Sequence, residues 1–121
     1  MEAILDTSFI LSALRSKIDF ISSLSEKGFS IKVPREVIQE LKDLRLKTKR
    51  EERLNIDLAL EILGKKGIKK IKLGKSRVDE GLIAAGKRGA YIATLDSAIK
   101  RAVQSRIFIS SATKGIVIEQ A

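Results

Sequence analysis

The chain has no cysteine, no histidine and no tryptophan in its 121 residues, and only one proline and one methionine. Without thiols it has no disulfides, no zinc–thiolate site and no cysteine nucleophile; without imidazole it lacks the commonest general base and the usual nitrogen ligand. A serine triad of the usual form is excluded by the same absence. Hydrolytic chemistry would therefore rest on carboxylates, hydroxyls, lysine or arginine, and carboxylates gathered without imidazole or thiolate favour hard cations such as Mg²⁺ or Mn²⁺. Aromatic residues make up 4% of the chain, which argues against the base-stacking platform of a single-strand binder. No run approaches the roughly 20 apolar residues that span a bilayer, and no basic segment leads into an apolar one at the N-terminus. The expectation is a soluble, cytoplasmic protein with no membrane partner.

What the chain does have is positive charge: 24 Lys and Arg against 15 Asp and Glu, a formal +9. Such a balance suits a polyanionic partner, because each phosphate neutralised releases a condensed counterion. Nucleic acid leads over an anionic membrane surface. Length and a hydrophobic content of 44% suit one domain over residues 1–121.

Short β-branched runs alternate with longer amphipathic stretches, the pattern of a parallel sheet covered by helices on both faces. Strands are expected at Ala3 to Leu5, Ser30 to Val33, Ile68 to Leu73, Tyr91 to Thr94 and Ile107 to Ile109, with a short edge strand at Gly115 to Ile118. Helices are expected at Thr7 to Leu14, Ile18 to Glu26, after Pro34 to about Leu46, Glu51 to Leu63, Arg77 to Lys87 and Ser97 to Gln104. Gly28, Gly64 and Gly89 would close three of them, and Pro34 suits a first helical turn, where its missing N–H costs nothing.

Four carboxylates share one kind of position. Asp6, inside the apolar run ILDTSFIL, and Asp96, in YIATLD, each follow a strand, and strand C-termini in an open parallel sheet share the edge where ligands bind. Taken singly, each is also a good helix N-cap. Glu40 flanks the apolar stripe Val37, Leu41, Leu44 more closely than Glu36 or Asp43 does, although an exposed helix glutamate is the plainer reading. Asp79, Leu82, Ile83 and Gly86 follow i, i+3, i+4, i+7, so Asp79 heads an apolar face; should the helix start later, Asp79 is its cap and Glu80 the second candidate. Gathered carboxylates repel, so such a cluster stays ionised only when cations neutralise it. A divalent ion held there can activate water or brace the attacking and leaving oxygens of a phosphodiester cleavage. The hydroxyls of Thr7, Ser8 and Thr94 could orient the acids.

The segments ILDTSFIL, VPREVIQELKDL, VDEGLIAAG and YIATLDSAIKRA, in this order and spacing over essentially the whole chain, resemble the motifs of PIN-domain ribonucleases. The resemblance implies a three-layer α/β/α domain with a central parallel sheet of about five strands, and a Mg²⁺- or Mn²⁺-dependent endoribonuclease. Its first acid falls on Asp6, followed by hydroxyl positions Thr7 and Ser8, its second on Glu40 and its fourth on Asp96. The third motif shows adjacent acids, Asp79 and Glu80, and does not choose between them. Leu95 departs from the pattern, since many relatives carry Asn or Arg before the last aspartate. The resemblance leaves two biologies, a ribosomal RNA processing enzyme and a VapC-type toxin. It also raises as partners a second copy of the chain, an antitoxin or a ribosome-assembly protein. The sequence shows no exposed apolar stripe that compels a dimer.

Lys65 to Arg77 carries seven basic residues and no acid, and Lys42 to Arg53 six against three acids. Lys47, Lys49, Arg50, Lys75 and Arg77 are the candidate phosphate contacts. The plainer reading of the Ile68 to Lys72 alternation is an edge strand guarded by lysine. Gly74-Lys75-Ser76 is no phosphate-binding loop, because that pattern needs glycine at position 69, which is lysine. Two rivals from other classes remain: a non-catalytic RNA-binding subunit, and a flavodoxin-like signalling module, for which no switch lysine is evident.

Overall fold

The computed structural model describes residues 1–65, 67–74 and 77–120. Its elements are β1 (Glu2–Leu5), α1 (Thr7–Arg15), α2 (Phe20–Glu26), β2 (Ser30–Pro34), α3 (Arg35–Arg45), α4 (Arg50–Leu63), β3 (Lys69–Ile71), α5 (Val78–Lys87), β4 (Tyr91–Ala93), α6 (Ser97–Ala102), β5 (Ser105–Ile109) and β6 (Ile116–Gln120). The sheet order is β3-β2-β1-β4-β5-β6. The expected five-stranded parallel sheet is present, and β6 extends it antiparallel to β5, Ile107 opposite Ile118.

Alternation along the strands sends apolar side chains to two cores. Ala3, Leu5, Tyr91, Ala93, Ile107 and Ile109 face the larger one, shared with α1 to α4 residues such as Phe9, Phe20, Val37, Leu41 and Ile56. Ile4 and Ile92 face the other, with Leu82 and Ala85 of α5 and Ile99 of α6. Three layers follow from this one alternation. The outer helix α5 lies very close to its neighbours: a Cβ on Gly81 would meet the Leu73 Cβ at 2.6 Å, and one on Gly86 the Val103 Cγ1 at 2.6 Å.

Several boundaries differ from the sequence expectation. Pro34 is the last residue of β2 and the N-cap of α3, with extended backbone (φ −65°, ψ 139°), and lies outside the helix's first turn. The third strand is only Lys69–Ile71, and it is indeed a sheet edge with Lys69 exposed. Helix α6 stops at Ala102 because Val103 turns extended, which lets β5 begin at Ser105. Gly28 and Gly89 follow their helices with φ of +88° and +102°, where a side chain would be strained; Gly64 caps α4 in ordinary helical geometry. On α4, Leu54 and Leu58, one turn apart, stay exposed at 62% and 44%, an apolar strip that the periodicity did not reveal. No helix among the described residues is long and apolar enough to cross a membrane.

Candidate active site

Asp6 stands where β1 gives way to α1. It is the N-cap of α1, its Oδ1 accepting the Thr7 N–H at 2.9 Å, and it is only 8% exposed. A buried carboxylate costs several kcal/mol unless its lone pairs are satisfied. Its Oδ2 accepts the Thr94 hydroxyl at 2.7 Å and the Ser8 hydroxyl at 3.2 Å. Those hydroxyls are themselves anchored: Ser8 Oγ accepts the Leu95 N–H at 3.0 Å, and Thr94 Oγ1 accepts the Asp96 N–H at 3.1 Å. The Asp6 N–H reaches the Ala93 carbonyl at 2.9 Å, so the ends of adjacent strands β1 and β4 are laced together around this carboxylate. Of the three hydroxyls expected to orient the acids, Ser8 and Thr94 do so. Thr7 contributes its amide instead, and its buried hydroxyl has no hydrogen-bond partner among the described residues.

Asp96 follows β4 and Thr94. Its Oδ1 caps α6, accepting the Ala98 and Ile99 N–H groups at 2.9 and 3.1 Å. Capping and site position, rival readings of the sequence, therefore coexist in both strand-end aspartates. Glu40 lies half-buried on α3 beside fully buried Leu41, and has no hydrogen-bond or ion-pair partner among the described residues. Asp79 sits half-buried in the first turn of α5, accepting the Glu80 N–H at 3.0 Å, with Arg77 Nε at 3.6 Å.

These four carboxylates line one open cavity of about 520 Å³, together with Thr7, Ser8, Arg77, Val78, Leu82 and Ile99. Glu80 is exposed and lies outside that lining. Lys47, Lys49 and Arg50 are exposed around the turn from α3 to α4 and do not line the cavity; Arg77 does. Lys75 lies outside the described residues. Among the described residues, no three carboxylates approach closely enough to form a finished metal cage. The donor set nevertheless fits a hard, hydrated cation: it is all oxygen, and Mg²⁺ keeps several waters and needs only one or two carboxylates. The unpartnered Thr7 hydroxyl on the same wall is a further polar group without a protein partner.

One acid on the same helix as Glu40, ranked below it by the sequence, has a structural role. Glu36, one turn before Glu40 on α3, accepts the Leu73 N–H with both carboxylate oxygens, at 3.1 and 3.3 Å. Residues i and i+4 share a helix face, but Glu36 lies farther from the apolar stripe than Glu40, so the periodicity that singled out Glu40 passed it over.

A doubly covered sheet of five parallel strands, carrying a carboxylate at the ends of β1 and β4 and two more on α3 and α5, is a PIN-like α/β fold. Among solved structures it is similar to that of the PIN domain endonuclease Utp24, with a TM-score of 0.77 over 99% of this chain and 92% of that one. Sequence identity is 17%, so the likeness is one of fold. The sequence matches no family model, and no curated protein aligns with it significantly.

Proposed function

We propose that the chain is a Mg²⁺- or Mn²⁺-dependent endoribonuclease acting in RNA processing. The observation that carries this reading is the meeting of Asp6, Glu40, Asp79 and Asp96, from four separate elements, around one cavity with a single guanidinium on its wall. Asp6 and Asp96 have capping roles of their own, but Glu40 has no partner among the described residues, and a cation shared across the cavity would give it one. The fold likeness to an endonuclease supports the same class of chemistry.

A bound divalent cation would supply a Lewis acid for a phosphoryl oxygen and a lowered pKa for water. The chain's own residues define where it would sit. Asp6 is the fixed member, locked by Thr94, Ser8 and the Thr7 amide. Asp96 is oriented by its cap, with both helix bonds on Oδ1. Glu40 and Asp79, less tied down, are the members able to adjust as charge enters the cavity. Asp79 takes the third position in preference to Glu80, which faces away. Arg77 on the cavity wall would hold a phosphate oxygen next to the cut, and Lys47, Lys49 and Arg50 would track the flanking backbone.

The test uses end-labelled RNA with purified wild type and Asp6→Asn, with Mn²⁺, Mg²⁺ or EDTA, beside calorimetric titration of Mn²⁺ into each protein. Cleavage that requires the cation, and Mn²⁺ binding lost in Asp6→Asn, are expected. Salt-sensitive RNA binding with neither cleavage nor cation uptake would instead establish the non-catalytic RNA-binding subunit.

A further inference from the structure

We propose that a second cavity, on the far side of α6 from the acids, receives one unpaired nucleotide of the RNA strand, its base against Phe108 and its phosphate on Lys100 and Arg101. The proposal deepens the nuclease reading and rests on it for the adjoining site of cleavage. Ser97, Lys100, Arg101, Arg106, Phe108 and Glu119 enclose about 300 Å³, the lower end of the range for small-ligand pockets.

Phe108 stands apart from the chain's other aromatics. Phe9, Phe20, Phe29 and Tyr91 are all buried in the larger core, whereas Phe108 is half-buried. The alternation of β5 explains its place: Ile107 and Ile109 face the larger core, so Arg106 and Phe108 face α6. The Lys100 ammonium lies over one face of the Phe108 ring, 4.6 Å from its centroid, a cation–π contact that an incoming base would displace as the flexible lysine moves to the phosphate. Arg106 is already engaged, by Glu119 at 2.8 Å and the Lys100 carbonyl at 2.9 Å. Lys100 and Arg101 have no acidic partner among the described residues, so the cavity keeps two uncompensated cations.

Position completes the argument. Helix α6 is a shared wall six residues long: Asp96 and Ile99 face the acid cavity, Ser97 and Lys100 the second one. The Thr94 N–H bonds the Ile107 carbonyl at 3.0 Å, so Phe108 follows directly the β5 residue paired with Thr94, whose hydroxyl holds Asp6. A strand crossing the first turn of α6 would span both cavities. Ring stacking reads no particular base, and a base can reach the ring only when unpaired.

The probe is a short single-stranded RNA of mixed sequence carrying 2-aminopurine, bound in EDTA to wild type, Phe108→Leu and Arg101→Ala, with circular dichroism to check folding. Wild type should quench the fluorophore; Phe108→Leu should abolish that quenching and weaken binding about tenfold, and Arg101→Ala should reduce the salt dependence by about one phosphate. Unchanged affinity and quenching in both folded variants, no RNA binding by wild type, or equal affinity for duplex RNA would overturn the proposal. The two readings fail separately: Phe108→Leu losing RNA while wild type never cleaves removes the nuclease and keeps the subsite. Wild-type cleavage with quenching and KM unaffected by Phe108→Leu removes the subsite and keeps the nuclease.

Discussion

Glu36 holds Leu73 by its backbone, both carboxylate oxygens accepting the same N–H. The Leu73 side chain in turn lies so close to Gly81 of α5 that no β-carbon fits between them. Helix α3, which carries Glu40, and helix α5, which carries Asp79, are thus braced against one residue. Glu36→Ala should cost about 1–2 kcal/mol, the value of a charged hydrogen bond at a half-buried place, and should speed exchange of the Leu73 amide. Glu36→Gln, which retains an acceptor, should fall between. Urea denaturation with hydrogen exchange measures both, and wild-type exchange at Leu73 in the alanine variant would rule the brace out.

At Asp96, stability and charge can be separated. Asparagine caps a helix about as well as aspartate, whereas alanine loses the cap at about 1 kcal/mol. Asp96→Asn should therefore melt close to wild type yet bind Mn²⁺ more weakly and cleave poorly, while Asp96→Ala should lose all three. Thermal melts beside calorimetry distinguish the variants; an Asp96→Asn protein with wild-type cation affinity would take this residue out of the ligand set.

Close approach of α5 to the end of α6 makes Gly86 sensitive to a single methyl. Gly86→Ala would put a Cβ 2.6 Å from Val103 Cγ1, and overpacking of this kind costs roughly 1–3 kcal/mol. Adding Val103→Ala should return part of that loss by making room, despite the methyls it removes. Denaturation of the two single variants and the double one closes the cycle, and strict additivity would show that the two sites do not touch.

The Arg45 guanidinium of α3 holds the Asp57 carboxyl of α4 below its ordinary value of 3.8. With the folded value depressed, the pair stabilises the protein above pH 3.8 and the contribution disappears as the pH falls through the lower folded value. Asp57→Asn should melt slightly below wild type at neutral pH, the gap being small because both groups are exposed, and the two curves should converge in acid. A gap that widened on acidification would have the wrong sign for this pair.

Much of this was legible before any coordinates. The strand ends, Leu5 as expected and Ala93 one residue short of the expected Thr94, follow from short β-branched runs, and the neighbouring placement of Asp6 and Asp96 from the shared edge of a parallel sheet. Glu40 and Asp79 follow from helix periodicity, which places a side chain on a face without saying what lies opposite. That limit accounts for what was missed. Glu36 shares Glu40's face, and only the tertiary path of the β3–α5 connection brings the Leu73 amide to it. Phe108 reads as one more apolar strand residue until the sheet order puts it under a six-residue helix. Lys69 reads as a phosphate contact or as an edge guard, and the edge position of β3 accounts for it without a ligand.

The four acids are unequally bound to the fold. Asp6 and Asp96 each terminate a strand and start a helix, and would be kept for that alone; Glu40 bonds to nothing among the described residues. On the proposed reading, a lineage descended from such a nuclease that lost its activity would be free to drift first at position 40, while its strand-end aspartates persisted as relics of architecture. Inspecting Glu40, before either of the more eye-catching aspartates, is the way to tell a working descendant from a retired one.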